Sequence, residues 1–325
     1  MIIARSPLRI SLGGGGTDLP SYYKKNEGLV LSAAIDKYVY VTLTKPFSEG
    51  IYLKYSKIEK VKNINQIQHN LIKNTFKELR YKNISVELTT LADIPAGTGL
   101  GSSSSFTTAL LKALYHKDRK LITQNELAEK ACKIEIIKCK SPIGKQDQFI
   151  SAFGGITKFK FKKNGRVEVK PLNISQKILY DLEDNLLMFF TGYIRSANKI
   201  LLTQNKKSIN SNKDMLKALD NTKKYGHEIL NLIEKGKLEE FGEMMNVHWI
   251  EKKKRSKIMS NPKIDNWYNG ALKNGAIGGK LVGAGGGGFF LFYVSEKEKL
   301  RAYFKKQKLR EVRFKFDFEG SKLIV

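Results

Sequence analysis

The segment Pro95-Ala-Gly97-Thr-Gly99-Leu100-Gly101-Ser102-Ser103-Ser104-Ser105 sets three glycines at alternate positions ahead of four hydroxyls. Glycines let backbone N–H groups converge on an anion. A helix starting at the serines adds partial positive charge, and the hydroxyls add donors and one candidate magnesium ligand. The chemistry that fits is a phosphate cradle. It is not the usual nucleotide loop, because G-x-x-x-x-G-K-[ST] does not occur in the chain, and neither does the H-R-D loop of protein kinases. An ordinary Gly-Ser turn needs one or two glycines, so that plainer reading explains less of the pattern.

Two further glycine runs flank it in sequence. Gly13 to Gly16 is followed by Thr17 and Asp18, with Arg9 four residues ahead, which puts one fixed cation and one hydrogen-bond acceptor at a mobile mouth. Gly283 to Gly288 satisfies G-x-G-x-x-G, but it precedes a strand instead of opening a helix, so a dinucleotide site does not follow. Close backbone packing against site loops or substrate is the better use of these glycines. In Gly144-Lys-Gln146-Asp147-Gln-Phe149, Asp147 reads as a loop carboxylate that serves either as a base or as the cap of the next turn. Glu135, near the end of the preceding helix, reads equally as a solvated surface acid.

The elements that must position these groups alternate between strand and helix. IIARSPLRISL, LVLSAAI, YVYVTLT (38–44) and ISVELTT (84–90) read as strands, separated by a polar stretch at 57–70. Phe106, Leu110, Ala113 and Leu114 follow the helical period after the serines. Thr123 and Glu126 form a capping box for a helix over 123–138. A hairpin over 156–171 turns at Asn164-Gly165, and a buried strand restarts at 185–192. Helices at 213–235, 237–255 and 262–274 follow, then strand 289–294, a helix near 296–307 and a last strand at 311–317. At about 150 residues per domain, 325 residues give two domains, with a boundary near residue 180 (1–180 and 181–325).

Composition narrows the class. The 41% hydrophobic content supports a sizeable core, and no run approaches the roughly 20 apolar residues that span a bilayer. The start MIIARSPLRI carries no signal-peptide pattern, so the expectation is a cytoplasmic protein. Two cysteines, Cys132 and Cys139, and four scattered histidines argue against a disulfide scaffold or a zinc site. The net charge of +27 fits nucleic acid, a membrane surface or a polyanionic small molecule. No zinc-finger, RNA-recognition or basic-zipper pattern supports a specific nucleic-acid module, and a Lys-rich surface accounts for most of the charge.

SPLRISLGGGGTD, PAGTGLGSSSSF, KQDQFISAFGG and GGKLVGAGGGGFFLF, in this order, resemble the successive motifs of the GHMP small-molecule kinases, over residues 5–294. With TGYIRSANKI (191–200), they most resemble the branch acting on D-glycero-D-manno-heptose 7-phosphate. Galactokinases carry Glu-His where this chain has Gly15-Gly16. The resemblance implies an α+β two-domain fold: a ribosomal protein S5 domain 2-like N-terminal domain and a ferredoxin-like C-terminal one. It implies an ATP- and Mg²⁺-dependent sugar kinase making a 1,7-bisphosphate for surface glycan synthesis. Kinases for other sugars such as fucose, and a basic nucleic-acid-binding protein, are the alternatives. The implied ATP site is Pro95, Gly97, Gly99, Leu100, Gly101 and Ser102 to Ser105, and the implied metal ligands are Ser103 and Glu135. Asp147, paired with Arg9, stands beside the acceptor hydroxyl. Gly15, Thr17, Asp18, Gln146, Gly285 and Gly286 complete the acceptor site. For an acceptor phosphate, Arg195 is the expected ligand, since a guanidinium offers bidentate donors just past a buried strand. The run Lys252 to Arg255 reads instead as a solvated helix face.

Overall fold

A computed structural model of the chain describes residues 1–194, 197–210 and 212–325. Its two longest strands, β1 (Ile2–Gly13) and β2 (Gly28–Thr44), pair antiparallel along most of their length, with helix α1 (Pro20–Asn26) between them. The register shifts at Pro7, which has no N–H to give the ladder. Strand β3 (Ile51–Lys54) pairs in a hairpin with β4 (Ile58–Val61), which lies within the stretch read as polar, and helix α2 (Asn70–Glu78) follows. β5 (Val86–Ala92) then runs parallel to β3 and antiparallel to the second half of β2.

The serines open α3 (Ser102–Lys117), whose Phe106, Leu110, Ala113 and Leu114 are all buried. The Thr123 capping box starts α4 (Gln124–Cys132), but the helix expected to reach 138 widens into a π-helical turn over Lys133–Lys138. Such turns recur at functional sites. Residues 146–153, read as loop, form helix α5 (Gln146–Phe153). β6 (Ile156–Phe161) and β7 (Val167–Pro171) make the expected hairpin, and β6 joins the first half of β2.

Helix α6 (Gln176–Asn185) spans residue 180, so a division there falls inside a helix; the second sheet begins at β8 (Leu186–Phe190). α7 (Ala197–Ile209), α8 (Lys213–Glu234), α9 (Leu238–Lys254) and α10 (Pro262–Leu272) lead to β9 (Ala276–Leu281) and β10 (Phe289–Val294). α11 (Lys297–Lys306) and β11 (Arg310–Glu311) complete a βαββαβ unit with strand order β11-β8-β10-β9, the ferredoxin-like arrangement. The last strand is two residues long instead of the seven expected. Beyond it Phe316 crosses to Ile35, and β12 (Lys322–Leu323) closes onto β1. The chain's end therefore completes the sheet that its beginning started. No described helix is long and apolar enough to cross a membrane.

One continuous core joins the two sheets, running from Leu8 and Leu110 to Met188, Phe241 and Leu291. The closest approach is made by backbone. A Cβ on Gly283 would stand 2.5 Å from the carbonyl oxygen of Gly99, and one on Gly288 would stand 2.1 Å from that of Thr98. This contact is what holds the third glycine run against the cradle.

Gly288→Ala should therefore cost more than Gly165→Ala, since both sit at similar positive φ (+90° and +88°) but a Cβ on Gly165 would meet nothing within 4 Å. The shared backbone strain is about 1 kcal/mol, and forced overpacking adds about 1–3 kcal/mol at Gly288 alone. Thermal unfolding should show a Tm several degrees lower for Gly288→Ala. Equal shifts would mean that the two loops do not touch in solution.

Candidate active site

The two halves enclose a cavity of about 640 Å³. Gly97, Gly99 and Gly101 take left-handed φ values of 82°, 83° and 81°, which turn the loop into the N-terminus of α3, with Gly101 at its N-cap. Gly97, Gly99, Gly101, Ser102 and Ser103 line the cavity. The other residues of the expected cradle do not. Leu100 is in the core and its carbonyl accepts from Arg9 N (2.9 Å); the Pro95 carbonyl accepts from Thr98 Oγ1. Ser104 is fully buried, and Ser105 Oγ donates to the Pro7 carbonyl at 2.7 Å. These residues shape the loop instead of facing a ligand.

Arg9 reaches from β1 to three groups at once. Nε and Nη2 donate to Asp147 Oδ1 and Oδ2 at 2.8 and 2.7 Å, and Nη1 donates to the Gly99 carbonyl. Asp147 occupies the first turn of α5, not a loop, so the helix rather than a flexible turn fixes its carboxylate. The Arg9 side chain is 8% exposed and that of Asp147 26%. The pair is thus protected, with the carboxylate still open to the cavity.

Glu135 is buried at the π-helical turn behind the cradle, which rules out a surface acid. Its Oε2 accepts from Ser103 Oγ at 2.7 Å and its Oε1 from Gln148 Nε2 at 3.0 Å; no cation pairs with it among the described residues. Burial pushes its carboxyl up to about 7, and Asp147 adds to the rise. A buried carboxylate beside a cavity-lining hydroxyl, with no countercharge, is a donor set that fits one face of a hard, oxygen-seeking divalent cation.

The first glycine run faces Asp147 from the other side. Gly15 lines the cavity, and buried Asp18 accepts from the N–H groups of Gly16 (3.0 Å) and Gln146 (3.1 Å). Burial and the charge of Asp147 push the Asp18 carboxyl above its ordinary value. Gln146 lines the cavity with its amide bound to Ser32 Oγ, and a Cβ on Gly144 would land 1.9 Å from Asp18 Oδ2. Thr17 does not face the cavity; its hydroxyl donates to the carbonyls of Gly14 and Leu29, locking the turn. Gly285 lines the cavity, while Gly286 binds through its N–H to the Met259 carbonyl and does not.

Arg195 lies outside the described residues. The run Lys252 to Arg255 divides. Lys253 and Lys254 pair with Asp265 and Glu251, as a solvated face would, but Lys252 and Arg255 are buried and line the cavity with His248 and Lys280. His248, Lys252 and Arg255 recur at i, i+4 and i+7, a helical stripe legible in the sequence. Lys280 stands alone in an apolar strand, which is the other available signal. Beside the cradle, Tyr55, His69 and Phe106 line an aromatic wall (ring centroids 4.6 and 5.4 Å apart) suited to a flat base. Nothing in the local sequence marks those three.

Family models match at two places: the GHMP kinases N terminal domain over residues 70–155 and the GHMP kinases C terminal region over 229–311. The chain is 31% identical to a D-glycero-alpha-D-manno-heptose 7-phosphate kinase of Campylobacter jejuni, covering 99% of this chain and 98% of that one. It is 26% identical to an L-fucokinase/L-fucose-1-P guanylyltransferase of Bacteroides fragilis, over 92% of this chain but 35% of that protein. In three dimensions it matches a D-glycero-D-manno-heptose 1-phosphate kinase from Bacteroides thetaiotaomicron, with TM-score 0.82, 26% identity and coverage of 100% and 99%. With the glycine–serine cradle, the Arg9–Asp147 fork and the full-length likeness agreeing, the chain belongs to the GHMP kinases.

Proposed function

We propose that this carbohydrate kinase transfers the γ-phosphoryl group of ATP to the anomeric hydroxyl of D-glycero-D-manno-heptose 7-phosphate. The product is the 1,7-bisphosphate, a precursor for nucleotide-activated heptose and surface glycans. The observation that carries the reading is the carboxylate of Asp147, held by both its oxygens on Arg9 and set directly against the phosphate cradle: a Cβ on Gly101 would meet Asp147 Oδ2 at 3.4 Å. The near-complete coverage of the C. jejuni relative favours the heptose phosphate over fucose, whose kinase relative is matched over a third of its length. The cytoplasm, which supplies ATP, is the compartment this reading requires.

Phosphoryl transfer asks chiefly for positioning and charge neutralisation. Gly97, Gly99, Gly101, Ser102 and Ser103, at the N-terminus of α3, would hold the phosphates. Ser103 and Glu135 would hold a Mg²⁺ ion, which when bound neutralises phosphate charge. Asp147 accepts the proton of the acceptor hydroxyl as the oxygen attacks phosphorus. Arg9 holds that carboxylate by both oxygens and aims it at the cavity. An anomeric hydroxyl is more acidic than an ordinary alcohol, so the demand on the base is modest. Asp18, Gln146 and Gly15 border the same space and serve as sugar contacts.

Asp147→Asn should lower kcat by about 10²-fold or more, with ATP affinity nearly unchanged, because the amide cannot take the proton while the cradle stays intact. Near-normal turnover of a pure, folded variant would remove Asp147 from catalysis. Ser103→Ala and Glu135→Gln should each raise the Mg²⁺ concentration for half-maximal rate, since each deletes an oxygen ligand. An unchanged Mg²⁺ dependence for Glu135→Gln would assign the ion to another acid.

A further inference from the structure

The least ordinary feature of the cavity is its positive charge. His248, Lys252, Arg255 and Lys280 are 3, 8, 3 and 2% exposed, and none forms an ion pair with a carboxylate among the described residues. Their bonds go mainly to backbone. Lys252 Nζ donates to the carbonyls of Leu281 (2.9 Å) and Gly283 (2.6 Å), Lys280 Nζ to that of Leu12, and Arg255 Nη1 to that of Gly15 (2.9 Å). Arg255 Nε and both ring nitrogens of His248 have no hydrogen-bond partner among the described residues. The nearby acids are committed elsewhere: Asp18 to backbone N–H groups, Asp147 to Arg9, and Glu251 to Lys254 and Asn221. Burial and mutual repulsion push the Lys252 and Lys280 ammonium groups below their ordinary values, Lys280 to about 7, and hold the His248 imidazole well below its own, so His248 joins the cluster as a neutral hydrogen-bonding group beside three cations. Glu251 and Asp18 offset part of the Arg255 charge, but Lys252 and Lys280 have no carboxylate in contact, so an anion brought in by a ligand would be stabilised here.

Two members of the cluster lie on the acceptor side of Asp147: Lys280 and Arg255 are tied to the Leu12–Gly16 turn, which meets Asp147 through Asp18 and Gln146, whereas the cradle meets Asp147 through Arg9 and Gly101. Lys252 bridges toward the cradle through Gly283, which packs against Gly99. We propose that His248, Lys252, Arg255 and Lys280 form the pocket for a phosphomonoester on the acceptor sugar, at the end remote from the hydroxyl that meets Asp147. A phosphomonoester carries about −1.5 to −2 at pH 7 and three acceptor oxygens, which suits several convergent cations better than one carboxylate does. The proposal rests on the reading of the enzyme as a sugar-phosphate kinase and names the residues that impose it.

The test compares kcat/KM for heptose 7-phosphate and for the unphosphorylated heptose in wild type, Lys280→Met and Arg255→Met. Wild type should prefer the phosphorylated sugar, and each variant should reduce the preference ratio by about 10- to 100-fold, the worth of one lost charge-assisted hydrogen bond. Equal losses toward both sugars, or a ratio that survives in both variants, would overturn the pocket. If the variants do not fold, wild type decides: at saturating ATP, inorganic phosphate should inhibit competitively against the sugar phosphate, and absence of competition overturns the proposal. If wild type ignores heptose 7-phosphate, the functional reading fails on its own. The pocket is then judged on a panel of other sugars with and without phosphate: a preference for a phosphorylated member that falls in Lys280→Met upholds it, and indifference to phosphate overturns it.

Discussion

Arg9 is the joint on which the site is built. Its backbone N–H binds Leu100, one guanidinium nitrogen holds Gly99 and the other two hold Asp147, so one side chain links β1, the cradle and α5. The planar fork matches a carboxylate at both oxygens, which a lysine could not do. Two hydroxyls anchor the helices that flank it. Ser105 and Ser151 both donate to the carbonyl of Pro7, two residues before Arg9, and anchor α3 and α5 to the strand at the register shift. The position of Asp147 therefore follows from packing several residues away.

The second constraint is the close contact between the halves. Where Gly283 and Gly288 meet Gly99 and Thr98, a side chain would stand where backbone already is, so the C-terminal half can bring Lys252 and Lys280 into the cavity only through glycine. α9 delivers its cations at its C-terminal end, where the helix's partial negative charge offsets part of the cost of burying them. The result is a cavity in which Asp147, Asp18 and the glycine–serine loop, joined by Arg9, face Lys252, Arg255 and Lys280 from the C-terminal half.

Much of this was legible in the chain. The glycine–serine loop before α3, the Thr123 cap, the 156–171 hairpin and the stripe on α3 follow from local rules of turn chemistry, capping and periodicity, and these need no partner to operate; the pairing of Arg9 with Asp147 came only from the family motifs. The family motifs add order along the chain, and order along the chain is a sequence property.

What tertiary structure alone decided is burial. Glu135 and the pair Lys252–Arg255 belong to residue types that are normally solvated; the helical spacing of His248, Lys252 and Arg255 puts them on one face, but only the fold decides that this face meets the cavity while Lys253 turns to Asp265. The same holds for β12 on β1 and for the two-residue β11 on β8, since pairing between residues some 320 and 120 positions apart leaves no local periodicity to read. Sequence by itself determined the types of groups and their local frames. Which of them lost their water, and so acquired the electrostatics of a binding site, was decided when the two halves closed over them.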